Sequence, residues 1–194
     1  MRLTTAALAL LMLVLYTMPW LVNPSVSLTP GAYDLAEWTS LHPAVRSETP
    51  ALLTTLLLRL PLACVGLLIA FSARGNKLIP AIAVLLIAAA LLPPLEFIRA
   101  LGDSNYQQQF ALSLVTFTGG AIGLSGILTH RHHAIVVSLA MIGAAASIIG
   151  LFNGYQLMRG FDLPVQVGFG GMLLVLVFAA TAILSWKIKQ GSTA

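Results

Sequence analysis

Residues 51–72 read ALLTTLLLRLPLACVGLLIAFS, and this stretch decides the fold class. Its 22 residues carry one charge, Arg59, among mostly aliphatic side chains. A helix of about 20 apolar residues is long enough to cross a bilayer core of about 30 Å. The stretch therefore predicts a membrane-spanning helix with a single charged residue inside it.

The composition of the whole chain agrees with that prediction. Of its 194 residues, 58% are hydrophobic and 8% are charged, and the mean hydropathy is +0.94. An average soluble domain is about 45–50% apolar and about 25% charged. These values exclude a soluble globular enzyme, a disordered tail and a nucleic-acid-binding domain, and they leave a protein that lies almost wholly within a bilayer.

Six apolar runs have the length of a membrane span, which predicts an all-α polytopic membrane protein. We expect a single domain over residues 1–194, built as three helical hairpins. The runs are Leu3–Val22, Ala51–Ser72, Leu78–Ile98, Phe110–Leu128, Ala134–Phe152 and Val167–Trp186. The first run follows Arg2 as a signal peptide would, but it lacks an Ala-x-Ala cleavage site, so we interpret it as the first span.

Charges between the runs predict the orientation. The termini and even-numbered loops carry six basic residues and no acidic ones: Arg2, Arg74, Lys77, Arg131, Lys187 and Lys189. The odd-numbered loops carry three basic residues (Arg46, Arg99 and Arg159) and five acidic ones (Asp34, Glu37, Glu48, Asp103 and Asp162). Because basic loops stay in the cytoplasm, both termini are predicted to be cytoplasmic. The expected location is a plasma membrane, the inner membrane of a bacterial cell.

The long loop from Asn23 to Pro50 predicts a short amphipathic helix on the outer membrane surface. Thr29 suits the N-cap and Pro30 the first helical position, while Pro43 would stop the helix. Its apolar face comprises Leu35, Trp38 and Leu41 or His42, and Tyr33 and Trp38 suit an interfacial belt. We favour a lid that packs on the bundle or on lipid headgroups, and a docking surface or substrate gate is the alternative.

Arg59 is the most informative residue of the sequence. It lies about 12 Å below the start of its run, at 1.5 Å per residue. A central arginine costs about 2.5–3.5 kcal/mol on insertion scales, so it should face protein or water. We predict Glu96 as its partner, within a site bordered by the kinking prolines Pro61, Pro93 and Pro94. This site is either an ion pair that holds the helices in register or a site for an anionic headgroup, a substrate or a quinone-like molecule.

Small residues at four-residue spacing predict close helix packing. Gly119 and Gly123 form one pair, and Gly143 and Ser147 form another. We expect these faces to pack within the chain, with packing against another subunit as the alternative.

The sequence contains no pattern that would support catalysis or a resident cofactor. The single cysteine, Cys64, excludes an internal disulfide, and no histidine lies in the core of a run. His130, His132 and His133 surround Arg131 in a basic turn, for which we predict no metal. Gln107, Gln108 and Gln109 are interpreted as the polar flank of a loop.

Two functions remain open on the sequence alone. The first is a non-catalytic subunit that packs against, and stabilises or positions, other integral membrane subunits in a larger complex. The second is a small substrate-binding or transport component that captures a small molecule or lipid from the outer side. Both predict contact with membrane lipids and with no nucleic acid. A membrane-embedded enzyme is disfavoured, because no convergent set of catalytic side chains can be assembled.

Overall fold

A computed structural model describes residues 3–24, 28–162 and 164–191, apart from the side chains of residues 3–6 and 188–191. Arg2 and the side chain of Lys189, both part of the charge pattern, lie outside the described portion. The described chain is almost entirely helical. Its helices are α1 (Leu3–Thr17), α2 (Ala32–Ser40), α3 (Pro43–Arg46), α4 (Leu53–Ser72), α5 (Leu78–Ala90), α6 (Ser104–Ser125), α7 (His132–Arg159) and α8 (Phe169–Gly191).

Helix α4 is the centre of the bundle. It packs against α1, α2, α5, α6 and α7, and α8 packs against α1 and α7. Most of its side chains are buried, including both Arg59 and Pro61. The stretch that decides the fold class therefore forms the core around which the other helices assemble.

Three helical segments are long and apolar enough to cross a membrane: Leu53–Ser72, Thr129–Arg159 and Phe169–Lys187. Two further apolar helices, Ala7–Thr17 and Leu78–Ala90, are shorter. At 1.5 Å per residue, 13-residue α5 spans about 20 Å, less than a bilayer core of about 30 Å. The structure thus supports an all-helical membrane protein with three helices of full spanning length among the described residues.

Prolines explain why two predicted spans are shorter as helices. Helix α1 ends at Thr17, before Pro19. Helix α5 ends at Ala90, before Pro93 and Pro94, and residues Leu95–Arg99 form a 3₁₀ turn. Proline lacks the N–H that would continue the helix and disfavours helical geometry in the residue before it.

The end of the first run forms a small sheet instead of a helix. Strand β1 (Leu21–Val22) pairs antiparallel with β2 (Gln166–Val167), with Leu21 opposite Val167. The backbone approaches closely here, since Gly170 N donates to Pro19 O at 2.9 Å. A Cβ added at Gly170 would lie 2.7 Å from the carbonyl oxygen of Met18, so this position requires glycine.

Helix α2 packs against α4 and α1, as expected of a lid that packs on the bundle. Its buried face comprises Ala32, Leu35, Ala36, Thr39 and Ser40. It begins at Ala32 rather than at Pro30. The Pro30 carbonyl accepts a hydrogen bond from Trp20 N at 2.9 Å instead of one from a helical N–H. Of the two alternatives for the last position of the apolar face, Leu41 lies beyond the helix and is 73% exposed, whereas His42 is half-buried and its ring lies 6.1 Å from that of Trp38.

Candidate functional site

The described structure buries one arginine completely, and it is Arg59 of α4. Its Nη2 donates to Glu37 Oε1 of α2 at 2.7 Å, which forms an ion pair. Its Nη1 donates to Asn105 Oδ1 at 2.7 Å and to Gln108 Oε1 at 3.4 Å, both on α6. Three helices therefore converge on one guanidinium, and we call Arg59, Glu37, Asn105, Gln108 and Gln109 the Arg59 network.

Helix α2 brings Glu37 to this position through contacts on its buried face. Leu35 packs against Gly154 of α7, where an added Cβ would lie 2.9 Å from a Leu35 methyl carbon. Thr39 Oγ1 and Thr55 Oγ1 of α4 are 3.1 Å apart and share a hydrogen bond. With α2 held in this way, Glu37 lies on the side that faces α4 and α6.

Helix α6 supplies the amides of the network. Asp103 caps its first turn by accepting from the backbone N–H groups of Asn105 and Tyr106 at 2.8 and 3.3 Å. Asn105, Gln108 and Gln109 then fall on one helical face, because residues three and four apart are neighbours on a helix. Gln109 Nε2 donates to Glu37 Oε1 at 3.3 Å, so the carboxylate oxygen bonded to Arg59 also accepts from α6.

A second set of contacts closes the same end of the bundle. Glu48 accepts from the backbone N–H and the hydroxyl of Thr54 at 3.1 and 2.9 Å, at the start of α4. Arg46 Nη1 and Asp103 Oδ2 form an exposed ion pair at 3.2 Å. Burial alone raises the pKa of Asp103, but hydrogen bonds from Arg46 and from two backbone N–H groups outweigh it and hold the pKa below its usual value.

Burial is uneven across the central ion pair. The Arg59 side chain is 1% exposed, whereas the Glu37 side chain is 42% exposed. One further donor of the buried guanidinium, Arg59 Nε, has no hydrogen-bond partner among the described residues. The network is thus electrically paired and covered by a carboxylate that reaches the surface, and three of the five guanidinium N–H groups donate to described residues.

Glu96, the predicted partner of Arg59, lies elsewhere. It is exposed in the 3₁₀ turn, beside Arg99 and a surface cavity of about 400 Å³. Pro93 and Pro94 end α5 before Glu96, so Glu96 is not part of the helix that was expected to place it beside Arg59. The predicted pairing of Arg59 with Glu96 is therefore wrong, and Glu37 takes that place.

Pro61 lies inside α4, two residues beyond Arg59, and it is buried. A proline there cannot donate to the carbonyl of Leu57, four residues earlier. Gly150 of α7 packs directly on that carbonyl, since an added Cβ would lie 3.1 Å from its oxygen. The hydroxyl of Tyr16 donates to the next carbonyl, Leu58 O, at 3.1 Å. The proline region is thus packed by α1 and α7.

The outer-helix residues predicted for an interface have three different environments. Leu35 is fully buried, Tyr33 is 37% exposed, and Trp38 is half-buried. Partial burial, followed by the nearby Glu37 carboxylate, raises the pKa of the Tyr33 phenol above its usual value. Trp38 packs edge-on against Phe161 with ring centroids 5.8 Å apart, so it contacts the α7–α8 loop.

The small residues of the predicted packing pairs lie against other helices of the same chain. A Cβ added at Gly119 would lie 2.8 Å from Leu67, and one at Gly123 would lie 3.0 Å from Ala70, both on α4. Gly143 faces the ring of Phe178 on α8. Ser147 is fully buried, and its hydroxyl donates to Gly143 O at 2.8 Å.

Sequence reasoning missed the carboxylate and amides that hold Arg59. The sequence puts Glu37 in the short amphipathic outer helix, with no indication of a partner, and it favours a loop flank for Gln108 and Gln109. A signal for the amides was present, because Asp103 is a good N-cap whose helix would carry Asn105, Gln108 and Gln109 on one face. Nothing in the sequence shows which helix would meet that face.

The described residues contain no group of three or more His, Cys, Asp or Glu side chains that could hold a metal ion. The geometry instead offers a buried polar network near one surface, and shallow cavities at the same end. One of these, of about 440 Å³, is lined by Tyr155, Arg159, Asp162, Pro164 and Val165. Comparison of the chain with protein-family models, with curated proteins and with solved structures finds no match.

Proposed function

We propose that this protein is a non-catalytic integral membrane subunit that packs against partner membrane proteins and stabilises or positions them. Its buried polar groups are used to fasten its own helices together, as the Arg59 network does for α2, α4 and α6. The outward surfaces of the long helices are apolar. Large exposed side chains include Leu86, Phe117, Ile142 and Leu176.

The observation that carries the proposal is an apolar ridge at the end of α5. Leu95, Ile98 and Leu101 are 86%, 73% and 61% exposed, and they follow one another at three-residue spacing. Phe97 anchors the ridge by stacking on Phe110 of α6, with ring centroids 5.5 Å apart. Glu96 lies beside the apolar side chains, and apolar residues bordered by polar ones are typical of a protein–protein interface.

The first test is gentle purification of the tagged protein, followed by mass spectrometry of every protein and small molecule that elutes with it. We expect larger membrane subunits in fixed stoichiometry. Ile98→Lys should lower their recovery, whereas Leu41→Lys should not. Leu41 is also 73% exposed but belongs to the turn after α2 rather than to the ridge, which makes it the matched control. Recovery of the wild-type chain alone would contradict the proposal.

We also propose that the chain crosses the membrane six times, with both termini in the cytoplasm. Helices α1 and α4–α8 would be the six crossings, with the turn after α5 completing the short third one. Because Cys64 is the only cysteine, a Cys64→Ala background permits single-site labelling. Exposed Gly102→Cys should react with an impermeant maleimide in intact cells, whereas exposed Thr129→Cys should react only after permeabilisation. Labelling of both from the same side would refute this topology.

The second candidate function is capture of a small molecule at the Arg59 end of the bundle. Arg59 Nε, which has no partner among the described residues and lies beneath a half-exposed Glu37, favours it, since a guanidinium N–H can bind an anionic or carbonyl group. The same purification tests this alternative. A small molecule that co-purifies with the wild type but not with a folded Arg59→Ala variant would support it.

A further inference from the structure

We propose that the opposite end of the bundle binds an anionic phospholipid, in a notch between the start of α7 and the end of α8. We call this the basic end. It carries Arg74 and Lys77 between α4 and α5, Arg131 before α7, and Lys187 near the end of α8. This inference goes beyond the proposed function, because it concerns a lipid ligand and a different surface.

The charge of the basic end is not balanced by any carboxylate of the described chain. All six acidic residues lie at the other end, in or beside α2, α3, the 3₁₀ turn, the start of α6 and the end of α7: Asp34, Glu37, Glu48, Glu96, Asp103 and Asp162. An anion that binds at the basic end therefore meets attraction from several cations, while the acidic side chains of the described residues lie at the far end.

Side chains from separate elements converge at this end. Helix α4, which ends two residues before Arg74, packs along α7, which begins at His132. The rings of His132 and His133 are 4.9 Å apart. His133 Nδ1 lies 3.3 Å from Ser185 Oγ of α8, which fixes its position beside the notch.

The notch has a polar rim and an apolar wall. Its volume is about 170 Å³, and it is lined by His133, Ala134, Val137, Ser138 and Trp186. Trp186 is 53% exposed, as is common for tryptophan at the level of lipid headgroups. Basic pockets between membrane helices bind anionic headgroups. The apolar side chains of the notch, Ala134 and Val137, would contact the acyl chain of such a lipid. This combination fits a phospholipid better than a free phosphate.

The probe for the test is phosphatidylglycerol, compared with phosphatidylcholine and with soluble glycerol phosphate. Binding to the purified full chain can be counted by native mass spectrometry, with the melting temperature in detergent as a second readout. We expect phosphatidylglycerol to be retained and to raise the melting temperature more than phosphatidylcholine. Equal retention of the two lipids would overturn the proposal, as would an equal effect of glycerol phosphate.

Two variants and a control locate the site. Arg74→Gln should weaken phosphatidylglycerol binding about fivefold, because one basic residue near a membrane surface is worth about a factor of that size. Arg74→Lys should restore it. Val137→Phe should block the notch without changing the charge, while Arg159→Gln, at the other end, should leave binding unchanged. Unchanged binding in Val137→Phe, or an equal loss in Arg159→Gln, would refute the assignment.

Discussion

The ion pair between Arg59 and Glu37 permits the sharpest test of how this bundle is held together. Replacing Glu37 with glutamine keeps the oxygen that accepts from Arg59 Nη2 but removes the opposing charge. Breaking a fully buried pair costs about 3–5 kcal/mol, whereas a surface pair is worth about 0–1 kcal/mol. Because Arg59 is 1% and Glu37 42% exposed, we expect a loss between these limits, about 2 kcal/mol.

The assay is unfolding of the purified protein in mixed micelles, followed by helical circular dichroism as the fraction of denaturing detergent rises. Asp103→Asn is the matched control, since it removes the charge of the exposed Arg46–Asp103 pair, whose side chains are 40% and 25% exposed. Asparagine can still cap α6, so the control should lose no more than about 0.5 kcal/mol.

A double-mutant cycle isolates the pair from other effects of the substitution. In an Arg59→Met background no buried charge remains for Glu37 to neutralise, so Glu37→Gln should lose most of its effect there. An equal loss in both backgrounds would show that the destabilisation does not come from the pair. A loss in Glu37→Gln no larger than in Asp103→Asn would likewise refute the reasoning.

Three other predictions concern the packing and the acid dependence. Gly150→Ala should lower the free energy of unfolding by about 1–3 kcal/mol through overpacking, because its Cβ would lie 3.0 Å from the Leu57 carbonyl carbon. Gly102→Ala is the control: its Cβ meets open space, so it should change the free energy of unfolding by less than about 0.5 kcal/mol. Tyr16→Phe should cost about 1 kcal/mol, measured in the same detergent titration, through loss of its bond to an α4 carbonyl. The pKa of Asp103 is lowered in the folded state, so the ionised carboxylate stabilises the fold at neutral pH. This stabilisation is lost as the pH falls below the usual carboxyl pKa of 3.8 towards the folded-state pKa. In unfolding titrations at several acidic pH values, Asp103→Asn should therefore show a shallower loss of stability than the wild type, and parallel curves would contradict this assignment.

Arg59 Nε has no hydrogen-bond partner within the described part of the chain, and this donor bears on both candidate functions. A structural ion pair does not require a free donor, whereas a ligand site does. The purification experiment therefore separates the two candidate functions through the same residue. If a folded Arg59→Ala variant retains the partner subunits and loses no small molecule, the role of the Arg59 network is structural only.

Much of the fold could be read from local sequence. Residues 51–72 identify a buried helix because so long an apolar run is stable only in a core or a membrane. Pro93 and Pro94 mark the end of α5, although the apolar residues beyond them led to a longer predicted span. Leu35 is buried as its helical spacing predicted, since periodicity reports which side chains avoid water.

The tertiary structure alone decided which residue pairs with Arg59. Glu37 is 22 residues from Arg59 in sequence, with α3 and the start of α4 between them. Only the packing of α2 on α4 brings its Oε1 to 2.7 Å from Arg59 Nη2. The sequence favours Glu96 as the partner because it follows the helix next to α4 along the chain, but α5 ends before Glu96. By itself the sequence determined that the chain is helical and apolar and that its loop carboxylates fall only in every second loop, because these are properties of each segment. The assembly of the Arg59 network depends on how segments distant in sequence pack together, and no local pattern encodes that.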